Sequence, residues 1–229
     1  LEERSEARGH NSLFGQINNS ARVIRMAGRP RTVSDETIFD AVTAAIGEGG
    51  PDALTVQNVA ERVGLTSPAV RQRFGSKRAL LVAYAEYQAE HAALPFSATA
   101  GDESGPLDRL VDGLVAAGSQ LRDKQTLTNN LALLHLDLGD PDLGVHAANH
   151  SRAVLRAMED LIGQAIDARH LRPDVNTNSL AQAINATYNG ALVTWAIDGT
   201  GPLASWLRDR IEYVIDPHTT ELPDTDQRH

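Results

Sequence analysis

From residue 34 to residue 215 apolar residues recur at intervals of three and four, broken by glycine, proline and aspartate, which predicts a chain of helices. Ile38, Val42, Ala45 and Ile46 form the inner face of a first helix, capped by Ser34, with Asp35 and Glu36 at its positive end; "GEGG" and Pro51 end it. Thr55 caps a second helix in which Val56, Val59, Ala60 and Val63 face inward, and Gly64 stops it. Thr66 caps a third; Pro68 falls harmlessly in its first turn, and Val70 and Phe74 point to the same core. A fourth starts at Ser76 and runs to about Ala93 on Leu80, Leu81, Tyr84 and Ala85. "LPFSATAGDESGP" reads as a loop. Further helices are placed near 107–122, 125–138, 142–169, 176–198 and 202–215, and residues 218–229 read as a polar, frayed tail. No sustained run alternates apolar with polar residues, so the expected fold class is all-α.

Composition narrows the chemistry. The chain has no cysteine, which excludes disulfides, zinc–thiolate sites and thiol catalysis. No apolar run approaches membrane-spanning length, since "LALLHLDLG" is broken by His135 and Asp137, and the first residues lack a signal-peptide centre; a cytoplasmic protein with no membrane partner is expected. The net charge of −9 argues against nucleic acid until it is divided along the chain. Residues 1–90 hold 11 Lys/Arg against 11 Asp/Glu, so residues 91–229 carry all of it. Two basic groups lie in the neutral part: Arg22, Arg25, Arg29 and Arg31, then Arg71, Arg73, Lys77 and Arg78. Between Gly64 and Leu81, "GLTSPAVRQRFGSKRALL", there is no acidic residue.

Two short helices joined at Gly64, with "VAERV" apolar on one face, fit a helix-turn-helix. Burying Val70 and Phe74 turns Pro68, Arg71 and Gln72 outward, with Ser67 near the edge; Arg71 suits guanine and Gln72 adenine in a major groove. Arg73 and Lys77 are better placed for phosphates, while Arg29 and Arg31 belong to an arm suited to a narrow minor groove. An ordinary helix hairpin with a solvated basic face is the plainer reading of the same pattern.

The stretch "GRPRTVSDETIFDAVTAAIGEGGPDALTVQNVAERVGLTSPAVRQRFGSKRALLVAYAEY" resembles the DNA-binding region of the TetR family of transcriptional regulators. The resemblance implies a helix-turn-helix domain over 28–78, with Thr55 and Thr66 among its DNA contacts, and a larger helical domain over 79–217 that binds a small molecule and dimerises through its last two long helices. Met26 before "AGRPR" is typical of a family start, so residues 1–27 are expected to be a disordered, vector-derived or upstream extension with a basic arm. Members commonly carry Tyr at the position of Arg71 and Tyr or His at that of Arg73, a departure that puts operator preference by analogy aside.

Within the second domain, Asn130, His135, Tyr188, Asn189 and Trp195 are polar or aromatic residues among apolar neighbours, the mixture a ligand cavity needs. Leu180, Ile184, Trp206, Leu207, Ile211 and Val214 form stripes expected at a dimer interface, which a twofold reader of DNA requires. His146 and His150 with Asp142 have metal-like spacing, but Ala147 stands where the peptidase motif H-E-x-x-H has Glu; a polar helix face is the plainer reading, and neither metal nor cofactor is expected. The resulting expectation is a ligand-responsive repressor that binds a palindromic operator as a homodimer. An architectural DNA binder without ligand control is one alternative. An all-α enzyme using His135, His146 or His150 as base is the other, and it lacks a nucleophile motif, a phosphate loop and a carboxylate pair.

Overall fold

The computed structural model describes residues 33–97, 103–121 and 123–220. Among these residues the fold is all-α: α1 (Asp35–Ala53), α2 (Val56–Arg62), α3 (Ser67–Phe74), α4 (Lys77–Glu90), α5 (Pro106–Gly118), α6 (Lys124–Gly139), α7 (Pro141–Asp167), α8 (Thr177–Asp198) and α9 (Leu203–Ile215). The three expected N-caps form, and Ser76, where the fourth helix is expected to start, caps that helix as well. Ser34, Thr55, Thr66 and Ser76 each accept from the backbone N–H three residues on, at 3.1, 3.0, 3.3 and 3.1 Å; such a cap contributes about 1 kcal/mol.

The first helix does not stop where "GEGG" begins. It continues to Gly50, whose φ of 73° breaks it, and Pro51–Ala53 add one more turn. The kink deprives the Gly47 carbonyl of its regular donor, because the residue four places on is Pro51, which has no N–H. Asn129 on α6 supplies the missing bond: its Nδ2 donates to the Gly47 carbonyl at 2.8 Å, and its Oδ1 accepts from Gln125 at 3.1 Å. Asn129 is 8 % exposed and is the buried polar residue of the described core.

Two apolar clusters organise the molecule. The first gathers Ile38, Val42, Ile46, Val59, Val70 and Leu80 from α1–α4, together with Leu143 from α7. Leu80, Leu81 and Tyr84, which the sequence assigns to the larger second domain, pack in this first cluster. The second cluster is built on Leu110, Leu114, Leu127, Met158, Ile162 and Ile184 from α5–α8, closed by Leu207 and Ile211 of α9.

Three expectations need correction. The segment read as loop begins with a 3-10 turn, Leu94–Phe96, that buries Phe96 to 4 % exposure in the second cluster. Gly113 makes this possible, since a Cβ there would lie 2.7 Å from the Phe96 ring and 2.9 Å from the Pro95 carbonyl. The helix expected to reach residue 122 ends at Gly118. The tail is held through Thr220: an antiparallel bridge joins Leu171 and Thr219, and Arg172 donates to the His218 carbonyl at 3.0 Å. Residues 221–229 lie outside the described residues.

The apolar stripes of the last two helices are consumed within the chain. Leu180, Ile184, Leu207 and Ile211 are core residues, because an amphipathic stripe marks the side turned to the nearest core before it marks any partner. Trp206 and Val214 are only partly buried. Trp206 Nε1 donates to the Ala191 carbonyl at 3.0 Å, and Arg210 stacks over its ring at 3.2 Å. The outer faces instead carry Val193, Ile197 at 74 % exposure and Tyr213 at 79 %.

Candidate functional site

The turn between α2 and α3 closes around Gly64, with φ 69°. Leu65 N–H donates to the Ala60 carbonyl at 2.9 Å and Gly64 N–H to the Glu61 carbonyl at 3.3 Å, the paired bonds of a Schellman cap. The turn aims α3 so that Val70, 1 % exposed, anchors it in the first cluster. Phe74 packs on Phe39 with ring centroids 5.8 Å apart. Pro68, Arg71, Gln72 and Arg73 are exposed, and Ser67 is half-buried. Thr55 and Thr66 are exposed caps at the starts of α2 and α3. Arg29 and Arg31 lie outside the described residues.

The basic cluster seen in the sequence is divided in space. Arg73 Nε pairs with Asp35 at 2.6 Å, and its Nη1 donates to the Val33 carbonyl at 2.6 Å, tying α3 to the start of α1. Lys77 Nζ donates to the Pro51 carbonyl at 2.8 Å, at the α1 kink. Arg78 is held twice by Asp140, at 2.9 and 3.1 Å, and by Asp142 at 2.7 Å. Arg71 and Gln72 make no such bond among the described residues. The sequence misled here because the acids that answer these cations stand far along the chain. Of the four, Arg71 is the one without such a bond among the described residues.

Asp140 is itself the N-cap of α7, accepting from Asp142 and Leu143 N–H. Partial desolvation opposes its ionisation, but the two backbone bonds and Arg78 outweigh that and hold its carboxyl below the usual range.

Behind the helix-turn-helix, α4–α8 line an open-sided cavity of about 670 Å³, a size that suits a drug-sized molecule. Asn130, Tyr188 and Asn189, named from the sequence, line it together; His135 and Trp195 do not. His135 lies on the exposed side of α6. Trp195 is a core residue whose Nε1 donates to the Gly201 carbonyl at 3.2 Å, so its polar atom is satisfied by the chain itself. Desolvation pushes the Tyr188 hydroxyl up to about 12, keeping it neutral.

Tyr84, Gln88 and Asp137, which the sequence did not nominate, also line the cavity, as do His146 and His150, which it suggested only as a metal pair or catalytic base. A signal existed for Asp137: Asn130, Leu133, Leu134 and Asp137 share one helical face. Desolvation lowers the His150 ring below the ordinary histidine range. Among the described residues no group of three His, Asp or Glu side chains is arranged to hold a metal. Tyr84 joins the cavity to the helix-turn-helix unit: its hydroxyl lies 3.0 Å from Thr43 Oγ1 on α1, and since Thr43 donates to the Phe39 carbonyl, Tyr84 is the donor.

No described helix is long and apolar enough to cross a membrane. Residues 38–84 match the family model described as "Bacterial regulatory proteins, tetR family". A comparison with curated protein sequences gives no match. Similar solved structures include a TetR transcription regulator from Haloarcula marismortui, at 19 % identity and TM-score 0.65 over 81 % of this chain and 98 % of that one. SmeT, the repressor of the Stenotrophomonas maltophilia multidrug efflux pump SmeDEF, aligns at 20 % identity and TM-score 0.60 over 85 % and 96 %. FadR from Bacillus subtilis, in complex with stearoyl-CoA, aligns at 16 % identity and TM-score 0.63 over 80 % and 98 %. At such identities the likeness speaks for the fold, whereas the family model rests on the residues that build the helix-turn-helix. Together they place a TetR-type helix-turn-helix segment at residues 38–84, within a fold shared with TetR-family regulators.

Proposed function

We propose that the chain is a repressor that binds a palindromic operator as a homodimer and leaves it when a small molecule fills the cavity. The observation that carries this reading is α6. One of its faces holds α1 through Asn129, another lines the cavity through Asn130, Leu133, Leu134 and Asp137, and Asp140 at its end grips Arg78 near α3. A ligand that displaces α6 pulls on both anchors of the DNA-binding unit. Tyr84 gives a second route, lining the cavity and bonding to α1.

In this reading α3 enters the major groove with Ser67, Pro68, Arg71 and Gln72 towards base edges, Arg71 donating to guanine and Gln72 to adenine. Thr55, Thr66, Arg73 and Lys77 reach phosphates with the donors their internal bonds leave free. Arg29 and Arg31 supply the arm. The dimer forms through the outer faces of α8 and α9, around Val193, Ile197, Trp206, Tyr213 and Val214, rather than through the inward residues Leu180, Ile184, Leu207 and Ile211. Ligand must favour the state that does not bind DNA, and DNA then weakens ligand binding by the same factor. That a protein of the same fold holds stearoyl-CoA supports the capacity of such a cavity. The role is non-enzymatic.

The test is protection of upstream DNA by the purified protein, followed by titration of the protected duplex and a scrambled one across a range of salt. A repressor keeps a large specificity ratio at raised salt. Equal affinity for both duplexes would leave an architectural binder instead.

A further inference from the structure

Among the described residues lining the cavity there is one carboxylate and no lysine or arginine to answer it. Asp137 enters from α6, partly buried, and its carboxylate accepts no hydrogen bond from a described group. Arg78 of α4, which meets the end of α6, is taken by Asp140 and Asp142. The rest of the lining is apolar, such as Leu81, Phe96, Leu133 and Val154, or hydrogen-bonding, with the rings of Tyr84 and Tyr188 and the imidazoles of His91, His146 and His150.

A carboxylate in partly dry surroundings without a partner is unfavourable by itself, and aromatic faces attract cations. An anion entering here meets like charge. Resting on the reading of this cavity as the effector site, we propose that its ligand is an amphiphilic organic cation whose ammonium group pairs with Asp137 while its apolar body lies against α4, α5 and α7.

A pH dependence follows. Burial first, and Asp140 second, push the Asp137 carboxyl up to about 6. A cation binds the ionised form, so its affinity is full above that value and falls as pH drops through it, approaching about tenfold per pH unit. The other titratable groups lining the cavity are Tyr84 and His91 from α4 and its end, His146 and His150 from α7, and Tyr188 from α8. His91 Nδ1 is tied to the Tyr87 carbonyl at 2.8 Å. His150, lowered by desolvation, charges late in acid and then also repels a cation. A variant at Asp137 separates its share from that of the histidines.

The experiment is calorimetric titration of the full chain with decyltrimethylammonium, decanol and decanoate below their micelle concentrations, at about pH 7.5 and about pH 5. The expected result is binding of the cation at least about tenfold tighter than decanoate at the higher pH. That preference shrinks at the lower pH, vanishes in Asp137→Asn and survives in Asp137→Glu. Decanol, bound alike by all three proteins, checks that the cavity is intact. Decanoate equalling the cation, no binding of the cation, or a preference kept in Asp137→Asn overturns the proposal. The same ligands added to the protein–operator complex read the regulatory role separately. A cation that binds but leaves DNA bound refutes the effector reading and leaves the charge class standing.

Discussion

Replacing Asn129 tests whether the α1 kink depends on α6. In Asn129→Ala the Gly47 carbonyl loses a donor at 2.8 Å and has no helical substitute, because Pro51 stands four residues on. Leaving a buried acceptor unpaired costs about 1–3 kcal/mol, and the small void left by the amide adds to it, so about 2 kcal/mol is expected. For a chain of this size that lowers the melting temperature by roughly 4–8 °C. Asn129→Asp keeps the acceptor for Gln125 but turns a carboxylate oxygen towards the Gly47 carbonyl, so at neutral pH it is the more damaging change. Its pH dependence has a definite sign. The introduced carboxyl has a folded-state pKa raised above the unfolded value of about 3.9, so its penalty is full above the folded pKa and fades as pH falls through it, when the protonated group donates again. Thermal or urea unfolding of both variants against wild type at neutral and mildly acid pH makes the measurement. The reasoning is refuted if Asn129→Ala lies within about 0.5 kcal/mol of wild type, or if Asn129→Asp does not recover in acid relative to Asn129→Ala.

Gly64→Ala meets no atom within 4 Å but must hold φ near 69°, so it costs about 1–2 kcal/mol in unfolding experiments and weakens DNA binding by loosening the aim of α3. Arg71→Ala is expected to lose about 1–3 kcal/mol of discrimination at particular bases in a competition assay with single-base operator variants; a loss uniform across sequences removes its base-reading role. Gly190 on the outer face of α8 also has open space around it within one protomer, so Gly190→Ala gains about 1 kcal/mol of helix propensity in the monomer. Gly190→Leu, by contrast, is expected to split the dimer in sedimentation analysis, and an unchanged dimer would move the interface elsewhere.

The parts of this molecule that were legible in the sequence are those set by neighbours along the chain. A cap such as Thr66 needs only the N–H three residues on, Gly64 needs only its own φ, and the inward face of α3 follows from Val70 and Phe74 one turn apart. Illegible were the pairings made across the fold. Arg73 looked free because no acid is near it in sequence, yet Asp35 is its partner. Trp195 had the composition of a pocket residue, but its indole N–H is used on Gly201. Periodicity announced apolar faces on α8 and α9 without saying that the chain itself would cover them, so Leu180, Ile184, Leu207 and Ile211, nominated for a partner, are core, while Trp206 and Val214 stay partly exposed. Phe96 escaped because a single buried ring beside a glycine on another helix leaves no periodic trace.

Leu143 belongs to α7 and yet sits, 2 % exposed, in the cluster built by α1–α4, where α6 also packs along α1. The reading head is therefore not a portable cassette. A chimera that joins α1–α4 of this chain to the sensing half of a relative strips one wall from the first cluster and leaves the Gly47 carbonyl and Arg78 without their partners. Functional hybrids should need the seam moved, so that the second half of α6 and the first turn of α7 travel with the helices that touch DNA.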